Sequence, residues 1–129
     1  MGENGSDPWK GQNYVNIETY RKSGAAVATP TWFFKEGETL LVITGAVSGK
    51  VKRIRNNPQV RVAPCKYNGT LVGQWVKGSV ELVSAAEESK RIDALLRKKY
   101  GLMKALFDFF GRFSKANEIA LKIQLNGGG

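Results

Sequence analysis

Hydrophobic and polar positions change period once along this chain and then change back. From Val15 to Val83 apolar residues alternate, or run in short blocks between turn residues, which is the pattern of strands. From Ala85 to Ser114 they recur at helical spacing, and from Glu118 to Leu125 they alternate again. Within the strand region, Tyr14–Tyr20 stops at Lys22-Ser23-Gly24. Ala25–Phe34 is β-branched and aromatic and ends at a Lys35-Glu36-Gly37 hairpin loop. Thr39–Thr44 is almost wholly apolar, which predicts a central strand buried on both faces. Gln59–Cys65 predicts Val60 and Val62 inward and Arg61 outward. Asn68-Gly69 predicts a hairpin leading into a long strand, Thr70–Val83, with bulges at Gly73 and Gly78. Five or six strands joined by tight turns predict a mainly β, antiparallel barrel.

Ser84 and Glu87 form a capping box for a helix whose stripe is Ile92, Leu95, Leu96 and Tyr100, stopped by Gly101. A second helix, Leu102–Phe113, has eight apolar residues in twelve, four of them Phe. That suits a helix packed between the sheet and its neighbour, or a face shared with a second subunit or a ligand. Residues 1–12 and 126–129 are polar, Gly-rich and unpatterned and are expected to be disordered. One domain, 13–125, remains.

Composition narrows the chemistry. The 129 residues contain no histidine, which removes His-based catalysis, His-ligated zinc and the Ser-His-Asp triad. The single cysteine, Cys65, excludes an internal disulfide and a thiolate metal cluster, so no metal site is expected. With no signal-peptide pattern and no apolar run long enough to span a bilayer, the expectation is a cytoplasmic protein without a membrane partner. No side chain stands out as a catalytic acid, so the catalytic residues stay unassigned and the chemistry points to a bound cofactor.

Charge says what that cofactor carries. The net charge is +9, and from Glu38 to Glu81 there is no acidic residue between seven basic ones. Four of these, Lys50, Lys52, Arg53 and Arg55, fall within six residues. Ser48 can cap a short helix there, Val51 and Ile54 give it an apolar contact, and Pro58 stops it. The amides of Ser48, Gly49 and Lys50 would then point their positive helix end at one anion. Winding at 100° per residue sets Lys50 and Arg53 beside the apolar edge and Lys52 and Arg55 on the far side. Lys50 and Arg53 are thus the better pair for one phosphate; Lys52 and Arg55 reach a second anionic group or simply solvate the surface.

Three segments in order resemble a known family: Ala28-Thr29-Pro30-Thr31-Trp32-Phe33-Phe34, then Leu41-Val42-Ile43-Thr44, then Ser48-Gly49-Lys50-Val51-Lys52-Arg53-Ile54-Arg55-Asn56-Asn57-Pro58-Gln59-Val60. Val62-Ala63-Pro64-Cys65 and Gly73-Gln74-Trp75-Val76-Lys77-Gly78 continue it, over about Tyr14 to Leu125. The set resembles the split-barrel flavin and deazaflavin oxidoreductases related to pyridoxamine 5′-phosphate oxidase, and most of all those dependent on coenzyme F-420.

That resemblance implies a six-stranded antiparallel split barrel of the FMN-binding type with two or three flanking helices. It implies a homodimer with the cofactor between subunits, and hydride transfer to a small-molecule acceptor. Carried over by position, Lys50, Lys52 and Arg53 would bind the cofactor phosphate, with Ser48, Gly49, Ile43 and Thr44 beside them. Ala28, Thr29, Pro30 and Thr31 would run along the ring, and Gln74 and Trp75 of the other subunit would close the site. Arg55, Arg61 and Lys66 would serve the oligoglutamate tail of coenzyme F-420, whose charge suits the basic excess. FMN is the alternative cofactor, in an oxidoreductase or a flavin carrier. The C-terminal Arg/His segment of true pyridoxamine phosphate oxidases has no counterpart in a chain without histidine.

Two other classes compete on charge. A nucleic-acid-binding barrel is motivated by the pI of about 9.9 and by Trp32, Trp75 and Tyr67 among basic strands; the tight basic knot favours a small phosphorylated cofactor over it. Membrane-surface association through Leu102–Phe113 is opposed by Asp108 and by that helix's short length.

Overall fold

The computed structural model describes residues 7–45, 48–83, 90–91, 94–95, 98–99 and 118–126. Seven strands form one sheet: β1 (Tyr14–Tyr20), β2 (Ala26–Trp32), β3 (Phe34–Glu36), β4 (Thr39–Gly45), β5 (Gln59–Cys65), β6 (Val76–Val83) and β7 (Glu118–Leu125). One helix, α1 (Gly49–Asn56), joins β4 to β5. The spatial order is β2-β1-β5-β6-β7-β4-β3, with every neighbouring pair antiparallel. The two edge strands, β2 and β3, are separated in sequence only by Phe33. The sheet therefore curls until its ends nearly meet, which makes a barrel split along one seam.

That seam explains the strand count of seven in place of six. The segment expected as one strand, Ala25–Phe34, breaks where the chain leaves β1 and turns to pair with β4. Phe33 is fully buried at the break and meets the edge of the Trp9 ring at 5.5 Å between centroids. The following hairpin turns at Gly37-Glu38, with Glu36 paired to Thr39 and Gly37 at φ +61°, as a tight two-residue turn requires at its first central position.

The core follows the alternation. Val15 and Ile17 of β1, Leu40 and Val42 of β4, Val60 and Val62 of β5, and Leu121 and Ile123 of β7 face one another inside the barrel. Val51 and Ile54 of α1 complete that core; each buried side chain contributes about 1.5–3 kcal/mol. The opposite face of β4 is buried too: Leu41 and Ile43 pack with Ala120, Trp32, Phe34, Val83 and Leu95. The central strand is thus covered on both sides, as its apolar run predicts.

Three expectations change. Trp9 is only 5% exposed and belongs to the main core, although it lies in the stretch 1–12 expected to be disordered. The long strand Thr70–Val83 is shorter: β6 starts at Val76, and before it only Leu71 bridges to Cys65. Gly78 is no bulge, because its pairing with Val60 on one side and Leu125 on the other is continuous. A side chain there would sit 3.0 Å from the Gln124 carbonyl oxygen and 3.1 Å from Ile123 Cγ2, so the glycine lets β7 approach closely. The Asn68-Gly69 hairpin does form, closed by Lys66 N donating to Thr70 O, with Gly69 at φ +90°.

Residues 90–91, 94–95 and 98–99 are helical. The proposed capping box, the rest of the first stripe (Ile92, Leu96, Tyr100), the helix Leu102–Phe113 and the tail from residue 127 lie outside the described residues. Among the described residues no helix is long and apolar enough to cross a membrane, and no three His, Cys, Asp or Glu side chains group as metal ligands.

Candidate anion and cofactor site

The chain leaves β4 at Gly45 and enters α1 through Ser48, whose hydroxyl accepts from Val51 N at 3.3 Å. This caps one of the amides that a helix start leaves without an intrahelical partner and fixes the direction of the positive helix end. The burial of α1 matches the wheel. Val51 and Ile54 are buried, Lys50 and Arg53 half-buried, Lys52 and Arg55 exposed. The structure thus sets Lys50 and Arg53 on one side and turns Lys52 to solvent.

Arg53 is held by a contact between residues far apart in the chain. Its Nε donates to the Thr19 hydroxyl at 2.6 Å, and Thr19 in turn donates to Val27 O at 3.4 Å. The guanidinium lies back over the first turn of α1: a Cβ placed on Gly49 would be 2.9 Å from Arg53 Nη1. Among the described residues only Nε makes a hydrogen bond, and Nη1 lies beside the helix start.

Lys50 makes no hydrogen bond or ion pair among the described residues. Burial, and then the charge of Arg53, bring its ammonium down from 10.5 to about 8. Arg53 is lowered as well, by burial and then by the charge of Arg21. Lys50, Arg53 and Arg21 thus act on one another along α1, and among the described residues none of the three has a carboxylate partner. An anion would relieve both their repulsion and the desolvation of Lys50.

Arg61 behaves differently. Its Nε and Nη2 hold both carboxylate oxygens of Glu18 at 2.6 and 3.1 Å, and it lies over the Trp75 ring at 4.9 Å. The acidic partner missing from Arg61's own stretch comes from β1. Arg61 is therefore engaged in structure and is not a free tail-binding cation. Trp75, expected on a strand, lies just before β6.

Strand β2 runs antiparallel to β1, beside Thr19. Val27, Thr29 and Thr31 share a face with Thr19, Ile17 and Val15, while Ala28 and Pro30 point the other way and are exposed. The Thr29 hydroxyl is buried and has no partner among the described residues. It lies two residues along the strand from Val27, about 7 Å from the Thr19 level. Tyr14, Pro30, Thr31 and Trp32 line a small cavity of about 170 Å³. Thr44 ends the inward face of β4, whereas Ile43 faces the other way and packs with Trp32 and Leu95.

Gln74 and Trp75 do not join the cradle within one chain. Glu18 and Thr19 are adjacent on β1 and point to opposite faces, so the Glu18–Arg61–Trp75 group and the Thr19–Arg53 group lie on opposite sides of the sheet. Tyr67 is exposed at a hairpin tip and Cys65 is buried, its thiol pushed up by burial, which fits turn and packing roles for both. The residues that sequence reasoning missed are Thr19 and Arg21. A polar residue at an inward position after Val15 and Ile17 was the available signal for Thr19; nothing marked Arg21.

Against known proteins, the model of the family described as pyridoxamine 5′-phosphate oxidase matches residues 3–123. No curated protein matches the chain by sequence. Among solved structures, one called F420 reductase superposes with a TM-score of 0.69 at 19% identity, covering 98% of this chain and 96% of its own. A conserved hypothetical protein of Mycobacterium tuberculosis gives 0.70 at 19% identity, over 93% of this chain and 77% of its own. The heme storage protein HutZ of Vibrio cholerae gives 0.69 at 13% identity, over 92% and 84%. At these identities the structural likenesses establish the fold.

Proposed function

The chain belongs to the pyridoxamine 5′-phosphate oxidase family, and we propose that within it this protein is an oxidoreductase that uses a deazaflavin, coenzyme F-420, to exchange hydride with a small organic acceptor. The observation that carries this reading is the cradle at the start of α1. There, among the described residues, Lys50 stands without a counter-ion beside the Arg53 guanidinium, whose Nη1 lies near Gly49. The residues present fit a phosphorylated ring cofactor: the phosphate at Lys50 and Arg53, the ring along Thr29 and Thr31, where an orphan hydroxyl waits for a partner. When bound, the cofactor supplies the hydride chemistry. Lys50 and Arg53 fix its phosphate, and Thr29 orients its polar edge.

The cavity lined by Tyr14, Pro30, Thr31 and Trp32, at about 170 Å³, falls below the roughly 300–1,000 Å³ of ligand pockets and does not by itself enclose a ring cofactor. A homodimer in which Gln74 and Trp75 of a second copy cover the ring would complete the site. Two observations favour the deazaflavin over FMN: the net charge of +9, and the near full-length likeness to a protein called F420 reductase. FMN, in an oxidoreductase or carrier, is the second reading, supported by the family. Heme storage, the role named for one neighbour, would have to proceed without histidine, the commonest iron ligand. The single buried thiol suits a reducing cytoplasm.

Titration of the dialysed protein with coenzyme F-420 and with FMN, followed by fluorescence, tests the reading. Tighter binding of the deazaflavin, lost in Lys50→Ala, is expected. Preference for FMN would move the protein to the flavin branch. Binding of neither, with steeply salt-dependent binding of nucleic acid, would replace the reading altogether.

A further inference from the structure

Arg61 and Glu18 form an ion pair whose outer side is a tryptophan ring. We propose that this pair is a positioning device: Arg61, held by Glu18, sets the orientation in which Trp75 covers the cofactor ring of a second copy. The proposal rests on the reading above, in which Trp75 closes that site.

The sheet supplies the anchor. Glu18 of β1 and Arg61 of β5 are cross-strand partners. Arg61 Nε and Nη2 hold the two carboxylate oxygens at 2.6 and 3.1 Å, and the Tyr20 hydroxyl donates to Oε1 at 3.0 Å. Glu18 is buried, whereas the Arg61 side chain is 40% exposed. The carboxylate is thus the fixed end of the pair and the guanidinium the presented one. Two parallel hydrogen bonds lock the plane of a guanidinium as a single one cannot. That guanidinium lies over the Trp75 ring, its Cζ 4.9 Å from the ring centroid.

The chain leading to Trp75 is pinned as well. Asn16 Nδ2 donates to Gly69 O at 3.0 Å, Leu71 bridges to Cys65, and Val72 N donates to Pro64 O at 2.9 Å. Gly73 approaches Pro64 so closely that an added Cβ would lie 2.6 Å from its Cγ. The segment is therefore tied to β1 and β5 up to Gly73, and only Gln74 separates that contact from Trp75. These ties place the Trp75 backbone and leave its ring two side-chain torsions. The guanidinium over the ring restricts them.

Trp75 is half-buried, so part of its ring remains open to a ligand. It lies on the opposite side of the sheet from Thr19 and Arg53, so a ring oriented there is offered to a second copy and not to its own cradle. A side chain already held in its bound orientation loses less freedom on binding, which is how Arg61 would enter the affinity. The bland role for the pair is to staple β1 to β5. A staple acts on stability, and any effect it has on binding is independent of Trp75. A positioning pair acts on binding only while the Trp75 ring is present.

The test is a double-mutant cycle on the full chain: the unaltered protein, Arg61→Gln, Trp75→Leu and the double variant, titrated with coenzyme F-420 and with FMN. Trp75→Leu is expected to weaken binding of the preferred cofactor about tenfold and Arg61→Gln about fivefold, while the double variant stays within about twofold of Trp75→Leu alone. Urea denaturation checks that each variant is folded, and Arg61→Lys, which keeps a cation and loses the fork, replaces Arg61→Gln if it is not. Losses that multiply to about fiftyfold in the double variant overturn the positioning role and leave Trp75 in the site. Unchanged affinity in Arg61→Gln does the same. Unchanged affinity in Trp75→Leu takes Trp75 out of the site and this proposal with it, while the cofactor reading stands. Failure of both cofactors to bind the unaltered protein overturns both.

Discussion

Arg53 donates its Nε hydrogen to the Thr19 hydroxyl at 2.6 Å, and this bond ties helix α1 to strand β1 across 34 residues of chain. It aims the guanidinium at the start of the helix instead of leaving it in solvent. A hydrogen bond to a charged group contributes about 1.5–3 kcal/mol when buried, less where water competes. Thr19→Val, which keeps the shape, is expected to lower stability by about 1–2 kcal/mol and cofactor affinity by roughly tenfold. Urea denaturation and fluorescence titration read the two effects separately. Unchanged affinity would mean that Arg53 does not depend on Thr19 for its position.

Gly49 separates binding from folding in the opposite sense. Its φ is not in the left-handed region, and the only close neighbour of an added Cβ is the flexible end of Arg53, at 2.9 Å. Alanine also gains helix propensity over glycine, up to about 1 kcal/mol. Gly49→Ala should therefore melt at the same or a higher temperature, while displacement of the guanidinium weakens phosphate binding several-fold. A variant that loses stability and keeps affinity would remove Arg53 from the site.

Lys50 makes anion binding depend on pH. With its ammonium titrating at about 8, the charged form predominates below pH 7 and is lost above 8. Affinity should be flat from pH 6 to 7, then fall by up to about tenfold per unit above 8, and Lys50→Met should flatten the profile. Folding responds with the reverse sign. Between 8 and the ordinary 10.5 the unfolded chain holds more protons, so stability rises with pH across that window. Below 8 the charged, half-buried lysine costs its full amount, so Lys50→Met should raise the melting temperature at pH 7.

Glu18 gives the acid side. The hydrogen bond from Arg61, first, and that from Tyr20 hold its carboxyl below the ordinary 4.5 against the opposing effect of burial. Its contribution is present above pH 4.5 and is lost as pH falls through the lower, folded-state value. Glu18→Gln should flatten the acid limb of a urea-midpoint curve measured from pH 2.5 to 6. An unchanged limb would show that another carboxylate governs acid unfolding.

Local pattern decided most of the elements. Gln59–Cys65 and Glu118–Leu125 form strands with the predicted bounds, and α1 follows from the Ser48 cap, the Val51–Ile54 contact and Pro58. The side of α1 that carries Lys50 and Arg53 was legible because helical periodicity is set by the backbone alone. The pattern suggests a bulge at Gly78, where the structure has none, because a glycine inside a strand looks the same whether it bends its own strand or admits another.

The sequence by itself determined the β character of the chain, its antiparallel turns, its basic helix and the absence of histidine chemistry, since each depends on residues near one another or on composition. Only the tertiary structure decided which cations are free. Glu18 reaches Arg61 across 43 residues, Thr19 reaches Arg53 across 34, and Arg21, just past the end of β1, lies beside the last residues of α1. Coulombic and hydrogen-bond energies depend on distance in space, and a barrel brings together residues that no sequence window contains. The same closure seats Trp9 against Phe33 and splits one expected strand into two.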